Sequence, residues 1–378
     1  MSTGSVAHPI ARALLPAAAR TSALASSSRW IPPARVQPAP LLRPQSTTPS
    51  PENAPPPRKK RTILDLQALK RKNVPITMLT AYDFPSARFV EAAAHHSVPT
   101  ATSTADGSAP AYPRGVDICL VGDSLAMVAC GYTSTSDLTL DEMLYHCRSV
   151  ARGCTTSLLL ADLPFGTYYA SVEDGVRAAV RLVQEGRMDA VKIEGGEEIV
   201  PLVRRLTDVG IPVMAHIGLT PQRQAALSGY RVQGKTVSSA LKVWRDAQAL
   251  QAAGAFALLV EAVPSRLAAW MTDRLRIPTV GIGAGAGASG QVLVQLDMLG
   301  VDSDLGAQGN GPRFLRRYAD VGKQARAAVQ AYVEEVRLGT FPVEGEHTYP
   351  MSNEAFEGFL ARVETIEEQG AAGMAKTG

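Results

Sequence analysis

A repeat constrains this chain more than any other feature: short, almost wholly apolar runs alternate with longer stretches of helical periodicity from Thr62 onward. The runs are Ile76–Tyr82, Asp117–Gly122, Ser157–Ala161, Ala190–Ile193, Pro212–His216, Phe256–Val260, Thr279–Gly283 and Gln291–Leu296. They lack the polar alternation of a half-solvated strand, and strands covered on both faces of a parallel sheet read this way. Leu140–Arg152, Val172–Glu185, Glu198–Asp208 and Ser238–Ala253 carry helical spacing between them. Gly153, Gly186, Gly210 and Gly254 stand near the helix ends, where left-handed caps belong. Repeated βα units with right-handed crossovers predict an α/β chain closed into a (β/α)8 barrel; pattern alone leaves a doubly wound open sheet as the alternative.

The polar residues favour the barrel. The apolar runs end in Asp83, Asp123-Ser124, Asp162, Glu194, His216, Glu261 and Gly283–Gly285, and in a barrel all of these ends open on one mouth. Acids gathered at the same end of consecutive strands are costly unless a cation compensates them. Asp123, Asp162 and Glu194 therefore form a hard-oxygen set suited to Mg2+, with helix N-capping the competing role for any one of them. Lys192, two residues before Glu194, points to the same side of its strand and could hold a carboxylate or keto oxygen, or simply pair with an acid. Glu261 follows an unbroken apolar run and is the candidate proton acceptor. His216 is a candidate substrate contact, weighed against a purely structural histidine. The glycines of Gly285–Gly290 match a dinucleotide pattern by letter, but they come after several βα units rather than in the first; close backbone packing or an open rim is the better use for them.

Composition excludes other classes. Hydrophobic residues make up 46% and charged residues 19%, enough for a buried core. The net charge is +3, and Arg12, Arg20, Arg29, Arg35 and Arg43 all precede the first acid, Glu52, so no folded basic face for nucleic acid is implied. No apolar run is long enough for a membrane span. Residues 1–60 are Arg-, Ser- and Ala-rich and then Pro-rich, the composition of a transit peptide and disordered linker directing the protein to the mitochondrial matrix. Cys119, Cys130, Cys147 and Cys154 match no zinc spacing and are expected as free thiols.

Six phrases go further: Thr80-Ala-Tyr-Asp83, Leu120-Val-Gly-Asp-Ser-Leu125, Leu160-Ala-Asp-Leu-Pro-Phe165, Val191-Lys-Ile-Glu-Gly-Gly196, His216-Ile-Gly-Leu-Thr-Pro-Gln222 and Gly281-Ile-Gly-Ala-Gly285. With them, from about Thr62 to His347, the chain resembles the ketopantoate (3-methyl-2-oxobutanoate) hydroxymethyltransferase family. The resemblance implies a barrel of the phosphoenolpyruvate/pyruvate-like type that uses Mg2+ and 5,10-methylenetetrahydrofolate to make 2-dehydropantoate for pantothenate and coenzyme A synthesis. It also implies a homo-oligomer, often a decamer. Carried over by motif, Asp123 and Asp162 correspond to direct metal ligands and Glu194 completes the metal site. Asp123, Ser124, Asp162, Lys192 and His216 are the expected substrate contacts and Glu261 the base. Rival readings are another Mg2+-dependent 2-oxo acid lyase or mutase, or a non-catalytic barrel.

The expected organisation is a transit and linker segment, 1–60, a catalytic barrel, 61–345, and a C-terminal helix and tail, 346–378. Within the barrel, 97–115 departs from the family pattern as an insertion in an αβ connection, opposite the catalytic mouth. Asn353–Glu368 carries Phe356, Phe359, Leu360, Val363 and Ile366 on one stripe, a face expected to pack on the barrel or on a neighbour.

Overall fold

The computed structural model describes residues 58–93, 115–226, 229–302 and 312–374. The expected transit segment lies outside the described residues except for its last three, and the expected insertion 97–115 lies outside except for Gly115.

Eight strands form a closed barrel in chain order: β1 Ile76–Thr80, β2 Ile118–Val121, β3 Leu158–Asp162, β4 Ala190–Glu194, β5 Val213–Gly218, β6 Ala257–Glu261, β7 Thr279–Ile282 and β8 Gly290–Leu293. All neighbours are parallel, and β1 closes the ring on β8 with Ile76 opposite Gly290. The helices are α1 Ile63–Arg71, α2 Phe84–Ala92, the single turn α3 Leu125–Val128, α4 Leu140–Gly153, α5 Val172–Gln184, α6 Val200–Asp208, α7 Val237–Ala252, α8 Ser265–Arg274, α9 Gln295–Leu299, α10 Val321–Leu338 and α11 Asn353–Met374. Several starts are fixed by reciprocal side-chain caps, as at Thr62 with Asp65, Asp83 with Ser86 and Thr139 with Glu142.

The period of two along each strand divides the core. Ile118 and Leu120, Leu158 and Leu160, Met214, and Ala257 and Leu259 belong to the cluster inside the barrel; Cys119, Val121, Leu159, Ala161 and Ala215 belong to the layer between strands and helices. Leu66 and Leu69 of α1 join the inner cluster, while Phe314 packs on it from a later segment. Continuing the inward series gives Asp162 on β3, Lys192 and Glu194 on β4, His216 on β5 and Glu261 on β6. The residues that fill the barrel and the residues that crown it are thus one pattern.

Two of the four helix-end glycines serve another purpose than the expected cap. Gly210 and Gly254 are left-handed, at φ +85° and +99°. Gly153 instead lies where a Cβ would stand 2.8 Å from the Phe84 carbonyl oxygen, and Gly186 where it would stand 2.5 Å from that of Leu182; the need there is close approach. Between β7 and β8 runs only the short connection 283–289, without a helix. Glycines here allow tight packing: a Cβ at Gly287 of the connection would meet Ala269 Cβ at 2.4 Å, and one at Gly290, the first residue of β8, would meet the Ile76 carbonyl at 2.3 Å.

After the barrel, α10 and α11 keep apolar side chains in solvent. Tyr332 is 57% exposed, Phe356 50% and Phe359 53%. Of the two partners expected for this stripe, the barrel does not cover Phe356 and Phe359 in the single chain. Among the described residues no helix is long and apolar enough to cross a membrane, and all four cysteines are free, three of them buried.

Candidate active site

One cavity of about 140 Å3 at the C-terminal mouth is lined by Asp123, Ser124, Asp162, Lys192, Glu194, His216 and Glu261 together. These seven are the residues expected from sequence to bind metal or substrate or to act as the base. Asp83 does not line it: its carboxylate accepts from Ser86 N at 2.8 Å and caps α2.

Asp123 stands in the turn between β2 and α3, Asp162 and Glu194 end β3 and β4, and the three are 5%, 2% and 2% exposed. Asp162 binds the neighbouring turn and strand through its two oxygens. Oδ2 accepts from Asp123 N at 2.9 Å and Oδ1 from Lys192 Nζ at 2.5 Å. Burial by itself would lower the Lys192 pKa, but Asp162 first, then Asp123 and Glu194, hold it above its ordinary value. Burial pushes the Asp123 carboxyl well up, with Asp162 and Glu194 adding to the effect. For Glu194, burial is opposed by His216 and Lys192, which bring its carboxyl below the usual value.

His216 lies between two acids, Nδ1 3.4 Å from Glu194 Oε1 and Nε2 3.3 Å from Glu261 Oε2. Burial opposes its protonation, but Glu194 and Glu261 prevail and raise its pKa to about 9. Both ring nitrogens and Glu194 Oε1 are buried without a well-aligned hydrogen bond. Glu261 is more open, its side chain 14% exposed. The chain leaves β6 sharply, because Ala262 adopts the left-handed φ of +48°; Leu219 N donates to the Glu261 carbonyl at 2.9 Å. Gly218, at φ +95°, permits that approach, since a Cβ there would lie 2.3 Å from the same carbonyl oxygen.

Gln222 is the member that the sequence did not single out. It is 3% exposed; its Nε2 donates to Asp123 Oδ2 at 2.8 Å and to the Leu163 carbonyl at 2.9 Å, while its Oε1 accepts from Tyr168 at 2.8 Å and Tyr169 at 3.1 Å. Its backbone N–H donates to Glu194 Oε2 at 3.1 Å. The residue closes the motif that begins at His216, and this was its only visible signal. Tyr82 was likewise quoted only in a motif; its hydroxyl lies 3.0 Å from Ser124 Oγ and donates or accepts there.

The donor set fits a divalent cation of the hard class. Four carboxylates, Asp123, Asp162, Glu194 and Glu261, face the two cationic side chains Lys192 and His216, and an orphaned carboxylate oxygen of Glu194 is buried among them. Among the described residues no three His, Cys, Asp or Glu side chains come together in a group that could hold a metal ion as they stand, so the fit rests on the chemistry of the donors and on the orphaned Glu194 oxygen. A site of this kind leaves coordination positions for water and for oxygens of a substrate.

Comparison with known proteins gives the family of the chain. The family model for ketopantoate hydroxymethyltransferase matches residues 100–344. The chain is 48% identical over 313 residues to 3-methyl-2-oxobutanoate hydroxymethyltransferase of Emericella nidulans, covering 83% of this chain and 82% of that protein. It is 41% identical over 328 residues to "3-methyl-2-oxobutanoate hydroxymethyltransferase 1, mitochondrial" of Arabidopsis thaliana, covering 86% and 88%. Among solved structures, a phosphoenolpyruvate phosphomutase from Streptomyces platensis subsp. rosaceus is similar at 18% identity and a TM-score of 0.46, over 82% of this chain and 99% of that one.

Proposed function

The chain belongs to the ketopantoate hydroxymethyltransferase family, and we propose that it adds the one-carbon unit of 5,10-methylenetetrahydrofolate to C3 of 3-methyl-2-oxobutanoate, releasing 2-dehydropantoate for pantothenate and coenzyme A synthesis. The observation that carries this reading is the convergence of Asp123, Ser124, Asp162, Lys192, Glu194, His216 and Glu261, from five consecutive strand ends, on one small cavity.

Asp123 and Asp162 would hold Mg2+ directly, and Glu194 would complete the site through water. Bound there, the ion supplies Lewis acidity to the keto and carboxylate oxygens of the substrate. The protein's own residues supply the remaining chemistry. Lys192 offers its ammonium to the same oxygens, and Ser124 offers a hydroxyl. Asp162 fixes the ammonium before substrate arrives, so the charge is oriented in advance. Glu261 accepts the C3 proton, and His216, 3.3 Å away, holds that carboxylate in place. The enolate carbon then attacks the methylene carbon of the folate as one of its two C–N bonds breaks, that nitrogen taking up the proton removed from C3. Water displaces the other nitrogen, giving its oxygen to the product hydroxyl and a proton to the nitrogen, and tetrahydrofolate leaves.

The experiment follows C3–H exchange of 3-methyl-2-oxobutanoate in heavy water, then product formation after the folate is added. Both are expected with Mg2+ and neither after chelation; turnover indifferent to chelation and to the cation would remove the proposal. We also propose a mitochondrial matrix location, supported by the composition of 1–60 and by the Arabidopsis relative's name, and a homo-oligomer, supported by the uncovered apolar faces of α10 and α11.

A further inference from the structure

A second cavity, of about 510 Å3, adjoins the first at the barrel mouth. Phe165, Tyr169, Gln222, Arg223 and residues 134, 136 and 224–226 line it. The two cavities share the same short segments. Thr135 faces the inner one while Ser134 and Ser136 face the outer; Pro221 faces the inner one while Gln222 and Arg223 face the outer. Gln222 belongs to both chemistries, since its amide also donates to Asp123 at 2.8 Å.

The proposed reaction brings together two molecules of very different size. A branched 2-oxo acid suits the inner cavity, which has no space for a second, larger reactant. The outer cavity falls in the range of about 300–1,000 Å3 that organic ligands occupy. Its walls suit a flat conjugated ring. Phe165 and Tyr169 meet edge to face at 5.2 Å between centroids, and each keeps ring surface open, 43% and 39% exposed. Tyr169 is no loose surface ring, because its hydroxyl is tied to buried Gln222 at 3.1 Å. The guanidinium of Arg223 lies 5.6 Å from the Tyr169 centroid and pairs with Glu198. Gln224 Nε2 donates to Ser134 Oγ at 3.0 Å, so an amide and hydroxyls stand beside the rings. Rings for a face and amides for an edge are what a nitrogen heterocycle requires of a protein.

We infer that this outer cavity holds the conjugated ring system of the one-carbon donor, a reduced pterin, between Phe165 and Tyr169 and the Ser134–Gln224 edge. The inference rests on the function proposed above and adds the place of the second substrate. Gln222, bonded to both Tyr169 and Asp123, lies between the donor and the acidic cluster.

The test uses the full chain with Mg2+ and the variants Phe165→Ala, Phe165→Leu and Tyr169→Leu. Two quantities are read: the KM for 5,10-methylenetetrahydrofolate, and the rate of C3–H exchange in heavy water without folate. The alanine and tyrosine variants are expected to raise the folate KM about tenfold or more, with a smaller rise for Phe165→Leu and exchange kept at the parent rate in both Phe165 variants. Exchange reports on folding and on the inner site alike, so a collapsed variant is recognised by its loss. A folate KM unchanged in all three, with exchange intact, overturns the inference and leaves the enolisation reading standing. Loss of exchange in a Phe165 variant whose thermal unfolding matches the parent also overturns it, because the rings would then act on the acids through Gln222. Absence of exchange in the parent protein defeats the underlying function instead, and the inference with it.

Discussion

Gln222 donates to Asp123 across 2.8 Å and so ties the segment after β5 to the end of β2, ninety-nine residues away in sequence. The same side chain satisfies the Leu163 carbonyl and two tyrosine hydroxyls. Replacing it with leucine would remove the partner of the Leu163 carbonyl, at about 1–3 kcal/mol for a buried group left unsatisfied, whereas Tyr168 keeps the Glu194 carbonyl at 3.1 Å and Tyr169 is open to solvent. Gln222→Leu is therefore expected to lower the midpoint of chemical denaturation and to weaken Mg2+ binding about 10- to 100-fold by calorimetry, the usual cost of removing an outer partner of a metal ligand. Parent-like Mg2+ affinity would show that Asp123 needs no such support.

Lys192→Met should be harsher. It leaves Asp162 without its ammonium partner at 3% side-chain exposure, and breaking a buried pair from one side costs about 3–5 kcal/mol. The variant is expected to show a lower unfolding midpoint and a loss of about 10²- to 10³-fold in kcat/KM for the 2-oxo acid. Lys192→Arg, with a wider and flatter head, is not expected to restore it. Full rescue by arginine would argue that only charge matters there.

Glu261→Gln keeps shape and removes the proton acceptor. C3–H exchange in heavy water is expected to fall about 10²- to 10⁴-fold while Mg2+ binding stays at the parent value. If exchange persists, the base is another residue.

Glu91 gives a prediction in pH. Burial would raise its carboxyl, but four bonds from Thr155 and Thr156, at 2.9–3.1 Å, outweigh that and bring it down to about 2. Its folded pKa lies below the unfolded one, so its contribution is fully present above about pH 4.5 and disappears as the pH falls towards 2. Glu91→Gln should be less stable than the parent at pH 7, with the gap closing over that acidic window in equilibrium denaturation. A gap constant from pH 7 to pH 2 would assign the effect to packing rather than charge.

The strands were legible because a barrel strand is apolar on both faces, and the polar residue that breaks each run marks its mouth end. The observed β3, Leu158–Asp162, and the expected run, Ser157–Ala161, differ by one residue at each end, and the inward period carries directly to Asp162, Lys192 and Glu194. Gln222, Tyr168 and Tyr169 were not legible. They lie in loops with no period, and their value comes from partners as far as 99 residues away in sequence. Helix α1 had a local signal, the Thr62–Asp65 cap ahead of Leu66 and Leu69, but what its apolar side covers is decided only when the inner ends of the strands are assembled. For the glycines, a letter near a helix end cannot distinguish a positive φ at Gly210 from a steric fit at Gly153.

The bond between β1 and β8 has a consequence for how the protein comes into being. The first and last staves of the barrel meet at Ile76 and Gly290, so a nascent chain that has already delivered every acid of the β2–β4 crown still has no sealed vessel around it. Closure would come only when the stave ending at Leu293 has left the ribosome, and a fragment ending earlier would keep the pairing of β2 with β3 and of β3 with β4 but leave β1 without its second neighbour.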